Sequence, residues 1–375
     1  MKIKKVIGYS LSSTYGDGNV FGQPEGVKSI GLVEVHTDSG LIGVGETYTG
    51  VYVPELLEPV VKSIESLIVG RNPLEIEDVY NSMEIPFVSM NGFVRSIIGA
   101  IEIALWDIKG QVEEKPIYEL LSDTYTNDFG VYASGGSVSF STDDIKGDVD
   151  KILSQGFNSY KMRVGVKDWK EDIDRVKTAR DKLGNNNLMV DAIQGTLNNW
   201  HQHNLVYNSK QLEQYDLTWI EEPLHPSKLK ELKSVYEMVN IPIATGEGLS
   251  GKLDFDSYLD SKCIDIIQPD VTHCGGFMRT KKIIEQAKKN GIKVSLHIWG
   301  SGIALVSNLH LALSMGIDWF EIPMVNLDLL SNEFKDLKSM ILQKDIKLSS
   351  GLGIKLTDDM KQSYPFVKNS GYKIK

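Results

Sequence analysis

The chain of 375 residues is longer than a typical single domain, so one large barrel or two domains is the starting expectation. Its 41% hydrophobic and 24% charged residues are ordinary for a globular protein and argue against disorder or a fibrous chain. A net charge of −10, spread without long single-sign blocks, argues against nucleic acid or an anionic membrane surface as the main partner and leaves small molecules. Cys263 and Cys274 are too few for a disulfide framework and lack CxxC spacing, which fits a reduced, cytoplasmic setting. The opening MKIKKVIGYS reads as a strand and not as a secretory leader. The late apolar stretch GIALVSNLHLALSMGI is broken by Ser307, Asn308 and His310, so no membrane span is expected.

Along the chain, Lys2 to Ser10 predicts a strand, and residues 11–27 a polar, Gly-rich loop. SIGLVEVHT and LIGVGETYT flank Asp38-Ser39-Gly40, a hairpin signal. Helical periodicity follows in PELLEPVVKSIESLIVG, PLEIEDVYNSM and VRSIIGAIEIALWDIKGQV, with Pro54 and Pro73 placed as first helical residues. From about Val131 the rhythm changes. VYAS, FNSYKMRV, LMVDA, LTWIEEP, IPIATGEG, IDIIQPD, IKVSLHIW and IDWFEIP each precede a polar turn and, but for the last, an amphipathic helix, the rhythm of a (β/α)₈-type barrel. An open doubly wound sheet has the same local pattern, but the strand count and the lack of G-x-G-x-x-G after the first strand favour the barrel. A helix in LLSNEFKDLKSMILQ and a tail with SGLGIKL close the chain, the tail returning to the first domain.

The chemistry stands at the strand ends. Lys161 and Arg163, Asp191, Glu221, Glu247, Asp270, His297 and Glu321 end or follow seven consecutive strands, spaced from Lys161 by 30, 30, 26, 23, 27 and 24 residues. Taken singly, each is an ordinary polar strand end; together they converge on the C-terminal mouth of a barrel, where active sites lie. Asp191, Glu221 and Glu247 form an all-oxygen, triply anionic set whose mutual repulsion calls for a cation, and hard oxygen ligands favour Mg²⁺. Asp270 beside His297 fixes the imidazole tautomer and makes a general base, whereas His36 and His310 read as satisfied structural histidines. Two motifs point elsewhere. GEGLSGK at 246–252 approaches a P-loop but has Leu253 where Ser or Thr should hold Mg²⁺, and His201-Gln202-His203 has zinc-hydrolase spacing in a polar stretch without a leading strand.

The pair Lys161-Met162-Arg163, the D…E…E series in VDA, WIEEP and ATGEG, QPD, S-L-H-x-W and the final Glu, with GETYTG, AIEIALWDIKG and SGLGIKL, resemble the mandelate racemase subgroup of the enolase superfamily over nearly the whole chain. The resemblance implies a modified TIM barrel, (β/α)₇β, at residues 126–349, under an α+β capping domain of residues 1–125 completed by 350–375, and a homo-oligomer. It implies Mg²⁺ on Asp191, Glu221 and Glu247, His297 with Asp270 removing the proton α to a small-molecule carboxylate, and Lys161 as a cationic partner or acid. Glu321, protonated in an anionic mouth, is expected to donate to the enediolate oxygen. The second position of the K-x-K pair is Arg163, effectively always protonated and a poor base, so one of the two bases that racemisation needs is missing. One base suits β-elimination from an acid sugar to a 2-keto-3-deoxy acid, with ring-opening cycloisomerisation as the nearest alternative, then racemisation, then a catalytically dead sugar-acid-binding barrel. Arg163 is alternatively a substrate clamp. Tyr48, Trp299 and Phe21 are the substrate-binding candidates, with Tyr15, Gln23 and Tyr52 in the same loops and His225 and His273 as weaker ones.

Overall fold

The computed structural model describes the chain except residues 16–25, 87, 91, 325–335 and 374–375. Alternating apolar positions build three antiparallel strands, β1 (Ile3–Thr14), β2 (Val27–Thr37) and β3 (Ile42–Thr47), ordered β1-β2-β3. β1 runs further than expected: residues 11–14, assigned above to a loop, continue the ladder to Thr14↔Val27, because Leu11 is buried and its neighbours find partners on β2. Helices Leu57–Ile68, Ile76–Ser82 and Gly92–Glu113 cover this sheet and share a core with it. Pro54 opens a 3₁₀ turn as expected, but Pro73 lies three residues before the helix at Ile76 and is not its first residue. β3 lies almost against helix Gly92–Glu113. A Cβ at Gly43 or Gly45 would come within 2.0 Å of the carbonyl oxygens of Ala104 and Ala100, so the spacing in GVGE is dictated by that approach.

Eight short parallel strands follow: β4 (Gly130–Ser134), β5 (Ser159–Arg163), β6 (Asn187–Asp191), β7 (Trp219–Glu221), β8 (Ile243–Thr245), β9 (Ile266–Ile267), β10 (Lys293–Leu296) and β11 (Trp319–Pro323). They close in the order β10-β11-β4-β5-β6-β7-β8-β9, with β9 pairing back to β10. All eight coincide with the apolar runs read from the sequence. Tyr132, Met189, Trp219, Ala244 and Ile266 fill the barrel interior, with edge-to-face contacts of 5.3 Å between Tyr132 and Trp219 and 5.6 Å between Trp219 and Trp319. After β11 a helix spans Leu337–Gln343, inside the longer helix expected there. No helix among the described residues is long and apolar enough to cross a membrane.

Buried carboxylates tie the first unit to the barrel. Glu46 of β3 accepts from Ser301 N (2.9 Å), Ser301 Oγ (2.6 Å) and Ala304 N (2.9 Å), satisfying the N-terminus of helix Gly302–Met315 that follows β10. Glu102 does the same for helix Phe277–Lys289 through Phe277 N and Met278 N. The charges inside GETYTG and AIEIALWDIKG are thus docking groups. The tail also returns: Leu352 N donates to Asp107 (2.9 Å), Ser370 Oγ meets Ser29 Oγ (2.5 Å), and Tyr372 N donates to Val51 O (2.8 Å).

Candidate active site

Parallel pairing places Arg163 opposite Asp191 and Asp191 opposite Glu221, so three consecutive strands deliver their terminal charges at one height. Glu247, in the turn after β8, completes the set, and one carboxylate oxygen from each of Asp191, Glu221 and Glu247 lies within 4.8 Å of the others. That crowding is expensive without a cation. Burial and then the Glu221 charge push the Asp191 carboxyl up to about 6; burial and then Glu222 push Glu247 well above the carboxylate range. Oxygen donors alone, convergent and held toward protonation by their own repulsion, fit a hard divalent cation such as Mg²⁺. Glu222, the second acid of WIEEP, escaped the sequence reading. It is fully buried, has φ of 40°, and is likewise held high by burial and then Asp191.

Because the ion must displace protons from groups raised in this way, its affinity is lost as pH falls through their raised values. Mg²⁺ binding measured by calorimetry from pH 8 down to pH 5 is expected to weaken, below the raised values of these acids, by about tenfold per pH unit for each proton the ion must displace. Affinity constant over that range would contradict the site.

His297 sits beyond the end of β10 with its Nδ1 3.1 Å from Asp270 Oδ2 and its Nε2 3.5 Å from Glu247 Oε2. Asp270 Oδ1 in turn accepts from Thr272 N (2.9 Å), Thr272 Oγ1 (2.8 Å) and Asn308 Nδ2 (3.0 Å), which orients the carboxylate rigidly. Burial alone would depress the imidazolium; the Glu247 carboxylate and the hydrogen bond to Asp270 overcome it and raise His297 to about 9. Nδ1 is thereby committed to Asp270, and Nε2 faces the point where the three acidic side chains meet.

The Lys161 ammonium is 1% exposed and clasped between Glu221 Oε1 (2.5 Å) and Glu321 Oε1 (3.0 Å), above the Tyr132 ring. Burial would lower it, but those two carboxylates hold it well above the usual lysine range, which favours the cationic partner of the two roles expected for it. Burial would raise the Glu321 carboxyl, yet Lys161 and then His297 hold it at about 2, and its Oε2 accepts from Ile298 N (3.0 Å), surroundings that favour the ionised form over the neutral donor expected above. Arg163 donates to Gly135 O (2.6 Å) and Ser134 Oγ (3.3 Å), with Nε 3.8 Å from Asp191 Oδ2. Burial would lower its guanidinium; Asp191 and Glu321 raise it further, so it stays charged.

The wall of the mouth is aromatic. Tyr48 lies 5.9 Å from the His297 ring and 4.7 Å from His273, and its hydroxyl meets that of Tyr52 at 3.0 Å. Trp299 packs edge-on against Tyr15 (5.8 Å) and Tyr372 (6.3 Å). Tyr372 comes from the tail, and no strand or helix pattern pointed to it. Phe21 and Gln23 lie outside the described residues. His225 accepts from Ser227 N in the turn Pro226–Lys228, away from these contacts. His201 is exposed at the start of helix Gln202–Leu212, His310 is buried and accepts from Tyr118 N, and Glu247 of GEGLSGK belongs to the acidic set, so neither decoy motif forms its site.

Comparison with known proteins shows the family and agrees with the fold. Residues 25–122 match the mandelate racemase / muconate lactonizing enzyme N-terminal domain, and residues 144–360 match the enolase C-terminal domain-like family. The chain is 31% identical over 272 residues to a 3,6-anhydro-alpha-L-galactonate cycloisomerase of Streptomyces coelicolor, covering 71% of this chain and 73% of that one. It is 27% identical over 321 residues to an arabinonate dehydratase of Saccharolobus solfataricus, covering 84% of each. A solved racemase from Streptomyces coelicolor with bound magnesium superposes with a TM-score of 0.76 at 27% identity, covering 85% of this chain and 89% of that one.

Proposed function

The chain belongs to the mandelate racemase / muconate lactonizing enzyme family of the enolase superfamily, and from that premise we propose that it is an Mg²⁺-dependent acid-sugar lyase, a dehydratase. The observation that carries the reading is the asymmetry of bases: His297 has one ring nitrogen held by Asp270 and the other facing the carboxylate set, while the position of a second base is the permanently charged Arg163. In this reading residues 1–125 with 350–375 form the lid over a barrel of residues 126–349.

Asp191, Glu221 and Glu247 would hold the ion, which supplies Lewis acidity that stabilises the negative charge developing on the substrate carboxylate. With the Glu247 charge that raises the imidazolium offset at the acidic set, neutral His297 Nε2 takes the C2 proton while Asp270 keeps the resulting imidazolium in place. The C2–H electron pair enters the enediolate, then returns to form the C2–C3 double bond as the C3–O bond breaks. His297 returns the proton to the departing oxygen, water leaves, and the enol becomes a 2-keto-3-deoxy acid. Lys161 stays protonated between Glu221 and Glu321 and offsets the charge of the acidic set. Arg163 clamps the substrate without exchanging protons.

The relation to a 3,6-anhydro-alpha-L-galactonate cycloisomerase favours a second reading, in which the departing C3 oxygen belongs to a ring and stays attached to the product. Both are tested by offering C4 to C6 aldonic and aldaric acids, with their anhydro and lactone forms, in deuterium oxide. The expected result is a 2-keto acid with C2 exchange from one epimer only. Equal exchange from both epimers overturns the single-base argument.

A further inference from the structure

Lys28, at the start of β2, carries an ammonium buried to 3% exposure beside the mouth. An ammonium has three donors, and among the described residues this one has a single long acceptor, Trp299 O at 3.4 Å. It lies 4.0 Å from the centroid of the Trp299 ring and 5.3 Å from that of Tyr15, held by ring faces and not by an ion pair. Glu46, whose charge it feels, is engaged by Ser301 and Ala304, and no carboxylate among the described residues pairs with Lys28. Burial, only partly offset by Glu46, lowers the ammonium to about 7, and Arg163 adds to the fall. The Arg163 guanidinium lies 5.7 Å from the same Trp299 centroid, with its Nε near Asp191 at the other end. Two cations therefore lie against one indole, and one of them, Arg163, also reaches toward Asp191.

We propose that Lys28 and Arg163, both beside Trp299, recognise a second carboxylate of the substrate, so that the acid sugar is a dicarboxylic (aldaric) acid. The inference rests on the lyase reading for which end of the acid reacts. A bound carboxylate supplies the acceptors that the buried ammonium lacks and the charge that makes its burial tolerable. The preference is one of charge, so it acts on inert diacids as well as on substrates.

Calorimetry on the Mg²⁺-loaded protein with glutarate and pentanoate, equal in length but differing by one carboxylate, tests it without turnover. Glutarate is expected to bind about tenfold or more tightly, the usual size of a charge-assisted contact. Lys28→Met is expected to bring the ratio to within about twofold, and Lys28→Arg to keep most of it. Equal binding in the wild-type protein overturns the proposal, and that comparison stands even if Lys28→Met fails to fold. An unchanged ratio in folded Lys28→Met overturns it too. Glutarate preference with no C2 exchange on any acid supports the cation pair and sinks the lyase reading. Exchange on aldonic acids with no glutarate preference does the reverse.

Discussion

His297→Asn is expected to abolish exchange of the substrate C2 proton with deuterium oxide, and with it formation of the keto acid, by about 10² to 10⁴-fold, the range for loss of a positioned general base. Asparagine keeps a polar group near Asp270, whose carboxylate retains Thr272 and Asn308, so the surrounding hydrogen bonds survive. His297 Nε2 faces Glu247 at 3.5 Å without belonging to the acidic set, so Mg²⁺ binding is expected to persist in the variant. Exchange near the wild-type rate in a variant that still binds Mg²⁺ would remove His297 from the reaction. If exchange disappears together with Mg²⁺ binding, the residue is positioning the metal centre instead.

The second large effect is expected from Glu221→Gln. Glu221 joins the acidic set, accepts from Trp219 Nε1 (3.1 Å), and balances Lys161. Neutralising it weakens a cation site more than loss of an outer partner, so Mg²⁺ affinity is expected to fall by at least about 100-fold. It also strands half of a buried ion pair, at a cost of up to about 3–5 kcal/mol, reduced here because Glu321 still faces Lys161. Calorimetry and denaturant titration separate the two: loss of Mg²⁺ binding in a variant destabilised by no more than that amount supports the site. Unaltered Mg²⁺ affinity would mean that the three acids serve only to balance Lys161 and Arg163.

In the sequence Lys161, a cationic partner or acid, and Glu321, a neutral donor, are separate strand ends, because chain position says nothing about which side chains touch across the barrel. Once β5 and β11 lie on either side of β4, the two side chains meet at 3.0 Å, and each sets the other's charge. The same holds for Glu46 and Glu102. They stood in motifs quoted for their resemblance, but their work is to satisfy helix N-termini more than 170 residues away in the chain.

What was legible from residues alone had a local or periodic signature. Strand-ending acids at near-constant spacing on a repeated βα rhythm necessarily share one mouth, because each unit repeats the same geometry, and Asp191, Glu221, Glu247, Asp270 and His297 were readable on that ground. Arg163 in place of a second lysine was equally plain, since side-chain chemistry needs no coordinates. Lys28, Glu222, Tyr372 and the contact between Lys161 and Glu321 were not readable in this way. Their roles come from burial and from neighbours distant in sequence: a tail returned to β2, a cap strand laid over β10, and a low-dielectric interior in which charge depends on what stands within a few ångströms.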